Sequence, residues 1–143
     1  MKKGLAIILP AILSLASCGF FRSTITINDA LAEKVKIDAS KNPAQQYVIK
    51  EDLSDKNIKL NDVLVKQVTP STNIDYDFCI ITDVTTEKGL VECYIYTRNV
   101  NRVSKLEVGK TRIDVIGEFG RFFTLLDEYY TKIEIVEAKI IIK

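Results

Sequence analysis

Leu106-Glu107-Val108-Gly109-Lys110-Thr111-Arg112-Ile113-Asp114-Val115-Ile116-Gly117 is the stretch on which the architecture turns. Ile113 and Val115 alternate with Arg112 and Asp114, the period-two pattern of a half-buried strand. Gly109 suits a turn before that strand. Gly117 suits a sharp bend after it, where a side chain would crowd neighbouring backbone. Just upstream, Val100, Val103 and Leu106 recur at helical spacing over residues 99–106, enough for a short helix that plugs one end of a small barrel.

Outward from this segment the chain from residue 58 onward reads as strand, with β-branched and aromatic residues between turn clusters. A first strand is expected over 58–68, closed by Thr69-Pro70-Ser71-Thr72-Asn73, and a second over 76–84. The turn around Thr86-Glu87-Lys88-Gly89 then leads into a third over 90–97, forming a hairpin. In that third strand Val91, Cys93 and Ile95 share one face and Glu92, Tyr94 and Tyr96 the other. With the turn centred near Thr86, Cys79 stands opposite Cys93 and Ile81 opposite Val91. Beyond Gly117 a long hairpin runs through Arg121, Phe122 and Phe123, turns around Leu126-Asp127-Glu128 and returns over 132–142, with Ile133 and Ile135 facing inward.

Three strands, a helical connector and two further strands is the order of an OB-fold, a five-stranded Greek-key barrel. The segment 106–117 resembles the "Leu-x-x-Gly-x-x-Val-x-Val-x-Gly" fourth-strand motif of the anticodon-binding-like OB family found in exported and lipid-anchored bacterial proteins. One extra residue separates Gly109 from the alternating Ile113 and Val115. Val91-Glu92-Cys93-Tyr94 and Ile133-Glu134-Ile135-Val136-Glu137-Ala138 are similar to that family's third and fifth strands. The resemblance covers residues 58–143 and implies a mainly β fold with a short helix between strands three and four. It transfers no ligand, because the N-terminal extension and the aromatic hairpin depart from the pattern.

The N-terminal part has a different character. Met1-Lys2-Lys3 precedes an apolar run from Gly4 to Ala16, too short for a membrane span of about 20 residues, and small residues follow. Leu15-Ala16-Ser17-Cys18 resembles a lipobox, at which bacterial lipoproteins are acylated on the cysteine and cleaved before it. The residues thus predict a leader over 1–17 and a bilayer anchor at Cys18, since acyl chains bury about 0.8 kcal/mol per CH₂. An ordinary signal peptide with an incidental cysteine is the alternative. Residues 18–57 form a tether and N-terminal extension, with Thr26 able to cap a short helix ending near Lys36 and Asp29 in its first turn. Asn42-Pro43 breaks the chain, and residues 46–50 read as extended.

Composition removes several function classes. Losing Lys2 and Lys3 with the leader lowers the formal net charge from +1 to −1, and the mature chain carries no basic excess of the kind nucleic-acid binding exploits. The absence of histidine removes Ser-His and Cys-His dyads and most catalytic zinc sites. Cys79 and Cys93 in an exported chain are either a disulfide or two buried thiols. Asp75, Asp77 and Asp83 match no compact calcium loop, and Glu118, Asp127 and Glu128 are not placed as an acid-base pair, so no metal, cofactor or catalytic residue is expected.

Two candidate binding surfaces remain. Phe119, Phe122, Phe123, Tyr129 and Tyr130 put five of the twelve aromatic side chains in the fourth hairpin, beside Arg121. In OB-folds the loop between strands four and five borders the ligand surface, and aromatic and Arg side chains dominate interfaces. The same rings can instead fold back as core. Tyr94, Tyr96 and Arg112, projecting from adjoining strands, form the second candidate, able to stack a planar ligand or to make ordinary cross-strand pairs. The expectation is a lipid-anchored, non-catalytic module of the cell envelope, on the inner or outer membrane, that binds another envelope protein through the hairpin. A domain binding a small molecule or glycan on the tyrosine face is the alternative, and a purely structural role stays open.

Overall fold

The computed structural model describes residues 22–125 and 131–143. Cys18, Tyr129, Tyr130 and the tip at residues 126–130 lie outside the described residues.

Strand β1 (Thr24–Ile25) leads into helix α1 (Ile27–Ala39), whose start is the expected one. The Thr26 hydroxyl accepts from the Asp29 N–H at 3.2 Å and the Asp29 carboxylate accepts from the Thr26 N–H at 3.0 Å, a capping box that satisfies two otherwise orphaned donors. Ile27, Ala30, Leu31 and Ile37 turn one face of α1 into the core. Thr26→Ala is expected to cost about 1 kcal/mol, read as a lower urea midpoint with an unchanged m-value.

Helix α2 (Pro43–Ser54) replaces the extended segment expected at 46–50. Asn42 does not end structure; its side chain accepts from the Ala44 N–H at 3.0 Å, and Pro43 occupies the first helical turn, where a missing N–H costs nothing. Only Leu53 of this helix is buried, with Ile49 partly so, while Tyr47 and Val48 stay exposed. No apolar stripe was therefore there to be seen.

The remainder is β2 (Asn57–Leu64), β3 (Gln67–Pro70), β4 (Phe78–Thr86), β5 (Gly89–Tyr96), the one-turn helix α3 (Val100–Val103), β6 (Arg112–Phe123) and β7 (Lys132–Ile142). The fold is mainly β, with seven strands in one mixed sheet ordered β1-β2-β6-β7-β5-β4-β3. Pairing is antiparallel except for β1 with β2 and β5 with β7. A closed barrel of five strands was expected; the hydrogen-bonded order found is one open sheet of seven. The count differs because β1 adds an edge and because the first expected strand divides into β2 and β3.

The division follows a bulge. Register slips between Leu60 and Val63, where Asp62 takes φ +52° and its N–H donates to the Asp114 carboxylate at 2.7 Å. Beyond the bulge the Val65 N–H donates to the Thr111 carbonyl and the Lys66 N–H to the Ile81 carbonyl, so the chain passes from β6's neighbourhood to β4's within two residues. Among the described residues, the buried ones form one main cluster and a smaller one of Cys79, Ile81 and Tyr96. In the main one, Ile58, Leu60, Ile80, Cys93, Ile95, Ile113, Val115, Ile133, Ile135 and Ile140 line the inner side, α1 and Leu53 cover part of it, and Val103 of α3 closes on it.

The hairpin register corrects the expected cysteine pairing. Thr86 pairs with Gly89 around a Glu87-Lys88 turn, so Cys79 stands opposite Tyr96 and Cys93 opposite Thr82. This differs from the expected register by an odd number of residues, which puts the two cysteines on opposite faces of the sheet. Both thiols are free and buried. Burial in apolar surroundings pushes Cys79 up to about 11 and Cys93 up to about 12, so neither is a ready nucleophile.

Candidate functional site

The outer face of β4, β5, β7 and β6 carries three cross-strand rows. Asp83, Glu92, Lys132 and Phe123 form the first, and Ile81, Tyr94, Glu134 and Arg121 the second. Cys79 and Tyr96 begin the third, packed against Val136. These positions are the outward partners of the alternation that sends Val91, Cys93, Ile95, Ile133 and Ile135 into the core.

The aromatic hairpin splits between the two faces. Phe122 packs inward against the core, its ring 4.8 Å from that of Phe119. Phe123 turns outward and meets Tyr94 edge-on at 5.0 Å, with the Arg121 guanidinium 5.1 Å above its ring. Tyr94, Phe123 and Arg121, read from the sequence as parts of two surfaces, thus belong to one. Phe122→Ala should cost about 2 kcal/mol of stability because it empties half-buried core volume, whereas Phe123→Ala should cost under about 1 kcal/mol; paired thermal melts separate the two.

Charged groups fasten the rings. Glu92 accepts from Lys132 at 2.6 Å and from Lys66 at 3.0 Å, and Lys66 also reaches Asp83 at 3.1 Å. The Lys132 side chain is only 3 % exposed and lies 5.6 Å from the Tyr94 ring. Burial alone would raise the Glu92 carboxyl, but hydrogen bonds from Lys132, Lys66 and Tyr94 outweigh it and hold the group at about 2. Arg121 pairs with Glu134 at 2.9 Å.

At the loop end of the face, Tyr76 and Tyr96 lie 5.4 Å apart and Arg98 sits 4.8 Å over the Tyr76 ring. Arg98 grips Glu137 with Nε and Nη2, and the Tyr76 hydroxyl donates to the same carboxylate at 2.7 Å. The hydrogen bond from Arg98, then that from Tyr76, keeps the Glu137 carboxyl below its ordinary range. Burial pushes Tyr96 up to about 12. A scan against protein-family models and a search of curated proteins both return no match.

Arg112 is not part of this face. It stands nine residues before Arg121 on β6, up to roughly 30 Å along the strand, and its Nε pairs with Asp62 at 3.3 Å at the β2 bulge. Tyr76, Arg98, Lys132, Glu134 and Glu137 are members that sequence reasoning missed, while alternation had put Glu92 on this side of β5 without marking it as a site residue. Alternation over 132–136 points Lys132, Glu134 and Val136 outward and was the available signal for three outward positions. Tyr76 and Arg98 flank strands and join the face only through tertiary contact. Among the described residues no group of three or more His, Cys, Asp or Glu is placed to hold a metal ion, and Glu118 is paired with Arg22 at 3.4 Å.

Proposed function

We propose that the protein is a bacterial envelope lipoprotein, anchored through Cys18, whose OB-type barrel is a non-catalytic module that binds another envelope protein on the outer face of β4, β5, β7 and β6. The observation that carries this reading is the joining of Phe123 and Arg121 to Tyr94, which with Tyr76 and Val136 packs over Tyr96, a ring expected to project outward but buried with Cys79 and Ile81 beneath them. Aromatic and Arg side chains held in place before binding lose little freedom when a partner docks. Lys66, Arg98, Arg121 and Lys132 are matched by Asp83, Glu92, Glu134 and Glu137 across the face, which favours a polar-rimmed protein surface over a phosphate backbone.

Closure into a barrel is supported by covalent connectivity. β2 and β3 lie near opposite ends of the sheet order yet are joined by Val65 and Lys66 alone. The β3, β4, β5 meander, α3 before β6, and β7 parallel to β5 support the same reading, in which one long first strand borders both the second and the fourth. A non-catalytic role is supported by the acids: Glu92 is held near 2, far from the range a general acid or base needs near neutral pH.

The test is in-cell crosslinking from a photoreactive residue replacing Thr124, beside Phe123, comparing the otherwise wild-type protein with Arg121→Glu/Phe123→Ala. A discrete protein adduct that disappears in a folded double variant is the expected result. An adduct that survives the double substitution, or none from the intact face, rejects the surface. Cys18→Ser should separately abolish acyl labelling and membrane retention if Cys18 is the anchor.

A further inference from the structure

The second half of β7, beyond Glu137, carries a surface unlike the aromatic face. Lys59 of β2, Ile116 of β6 and Lys139 of β7 form one cross-strand row. That row borders a cleft of about 490 Å³ that Arg102, Asp114 and Ile141 also line. Ile141 is 60 % exposed and Ile142 36 %, and an adjoining hollow places Lys105 beside both.

The acids here are answered locally. Asp114 accepts from the Asp62 N–H at 2.7 Å and pairs with Lys143 at 3.4 Å, and Glu118 pairs with Arg22. Lys105 and Lys139 form no ion pair with a carboxylate among the described residues, and Lys59 acts on Asp114, already answered by Lys143, only at longer range. The surface is therefore basic and studded with exposed isoleucine.

Arg22 fixes where the tether arrives. Its guanidinium donates to the Ser54 carbonyl at 2.6 Å, and Arg22 lines a groove that shares Ile116 and Lys139 with the cleft. Cys18 lies four residues earlier, and four residues span at most about 14 Å. An acylated Cys18 would hold this side of the domain within reach of the headgroups.

We infer that the Lys59-Ile116-Lys139 surface, with Arg102 and Ile141, docks on an anionic bilayer. Headgroup phosphates sit against the lysines and Arg102, and Ile141, on the same face of β7 as Lys139, enters the interface. Spread-out cations with exposed aliphatic side chains suit a lipid surface, where each Lys or Arg adds attraction and apolar groups add burial. This inference rests on Cys18 as the anchor. It leaves the aromatic face, on the first half of β7 and its neighbours, free for the protein partner.

The experiment uses the acylated full-length protein in phosphatidylcholine vesicles containing about one part phosphatidylglycerol in three. A fluorophore is attached at Ile141→Cys or, as control, at Glu87→Cys on the β4–β5 turn, the buried Cys79 and Cys93 staying unlabelled. Headgroup-borne quencher should suppress the Ile141 signal several-fold more than the Glu87 signal. The difference should vanish in Lys59→Glu/Lys139→Glu, in pure phosphatidylcholine, and near 1 M salt, where screening length falls to about 3 Å. Thermal melts check that the double variant stays folded. Equal quenching at both sites, or quenching indifferent to charge and salt, overturns the docking surface. Loss of the difference on adding soluble phosphate at constant ionic strength also overturns it, in favour of a small-anion site. Mass spectrometry of the purified chain separates these outcomes from failure of the anchor itself, which would show as absence of acyl mass on Cys18.

Discussion

Gly117→Ala should destabilise the domain by about 3 kcal/mol, a fall in melting temperature of roughly 10–20 °C. Gly117 lies on β6 between the Ile116–Lys139 and Glu118–Val136 pairs, where β7 supplies two residues, Glu137 and Ala138, against one. That bulge presses β7 onto β6. A Cβ at position 117 would come within 2.6 Å of Ile135 Cγ2, 2.8 Å of the Val136 carbonyl oxygen and 3.0 Å of Ala138 Cα. The Cγ2 methyl is fixed on the β-branched carbon of the fully buried Ile135, and the other two atoms are backbone. β7 cannot easily retreat, because Glu137, at φ +48°, is held from the outer side by Arg98 and Tyr76.

Two other glycines serve as controls for that explanation. At Gly120 the closest approach is 3.0 Å to the Glu134 carbonyl oxygen, so alanine should cost about 1 kcal/mol. At Gly109 nothing crowds the site, but φ is +79°, so alanine pays only conformational strain, again about 1 kcal/mol. Denaturant melts of the three variants should rank Gly117 well below the others. Equal losses at 117 and 109 would mean that crowding by β7 is relieved and only backbone conformation matters.

Gly117 also shows what was legible from sequence. Its need for a missing side chain could be read from its place after an alternating strand, but the cause could not, because the crowding atoms belong to β7. Alternation likewise gave the inward set Val91, Cys93 and Ile95 of β5 and the bounds of β7, but not that Tyr96, Lys132 and Glu134 on the other face are buried as well. Register was not legible. The position of the Glu87-Lys88 turn depends on Thr86 Oγ1, which donates to the Gly89 carbonyl and accepts from the Lys88 N–H, and a small shift there reverses which residues meet. The split of Phe122 from Phe123 follows strict alternation along the end of β6. What set its phase was the extra residue at Gly120, a bulge with no sequence signature beyond the glycine itself.

The aromatic face makes a second strong prediction through Glu92. Its carboxyl is held at about 2, against an ordinary 4.5, because Lys132 and Lys66 both donate to it. A depressed carboxylate contributes stability that is fully present above the unfolded value near 4.5 and is lost as pH falls through about 2. At 1.36 kcal/mol per unit the shift corresponds to about 3 kcal/mol, reduced to roughly 2 kcal/mol by screening at the half-exposed Lys66. Glu92→Gln should therefore lose roughly 2 kcal/mol at pH 7 in urea titrations, and its deficit should shrink between pH 4.5 and 2 as the wild-type carboxylate protonates. Because Lys132 also lies against Tyr94, the variant should loosen the ring that meets Phe123, so partner crosslinking should weaken in step with stability. A deficit that is constant from pH 7 to 2 would show that Glu92 matters for its shape and not its charge. The face would then owe its order to the packing of Tyr94, Tyr96 and Val136, and neutral substitutions at those positions would be the ones that release it.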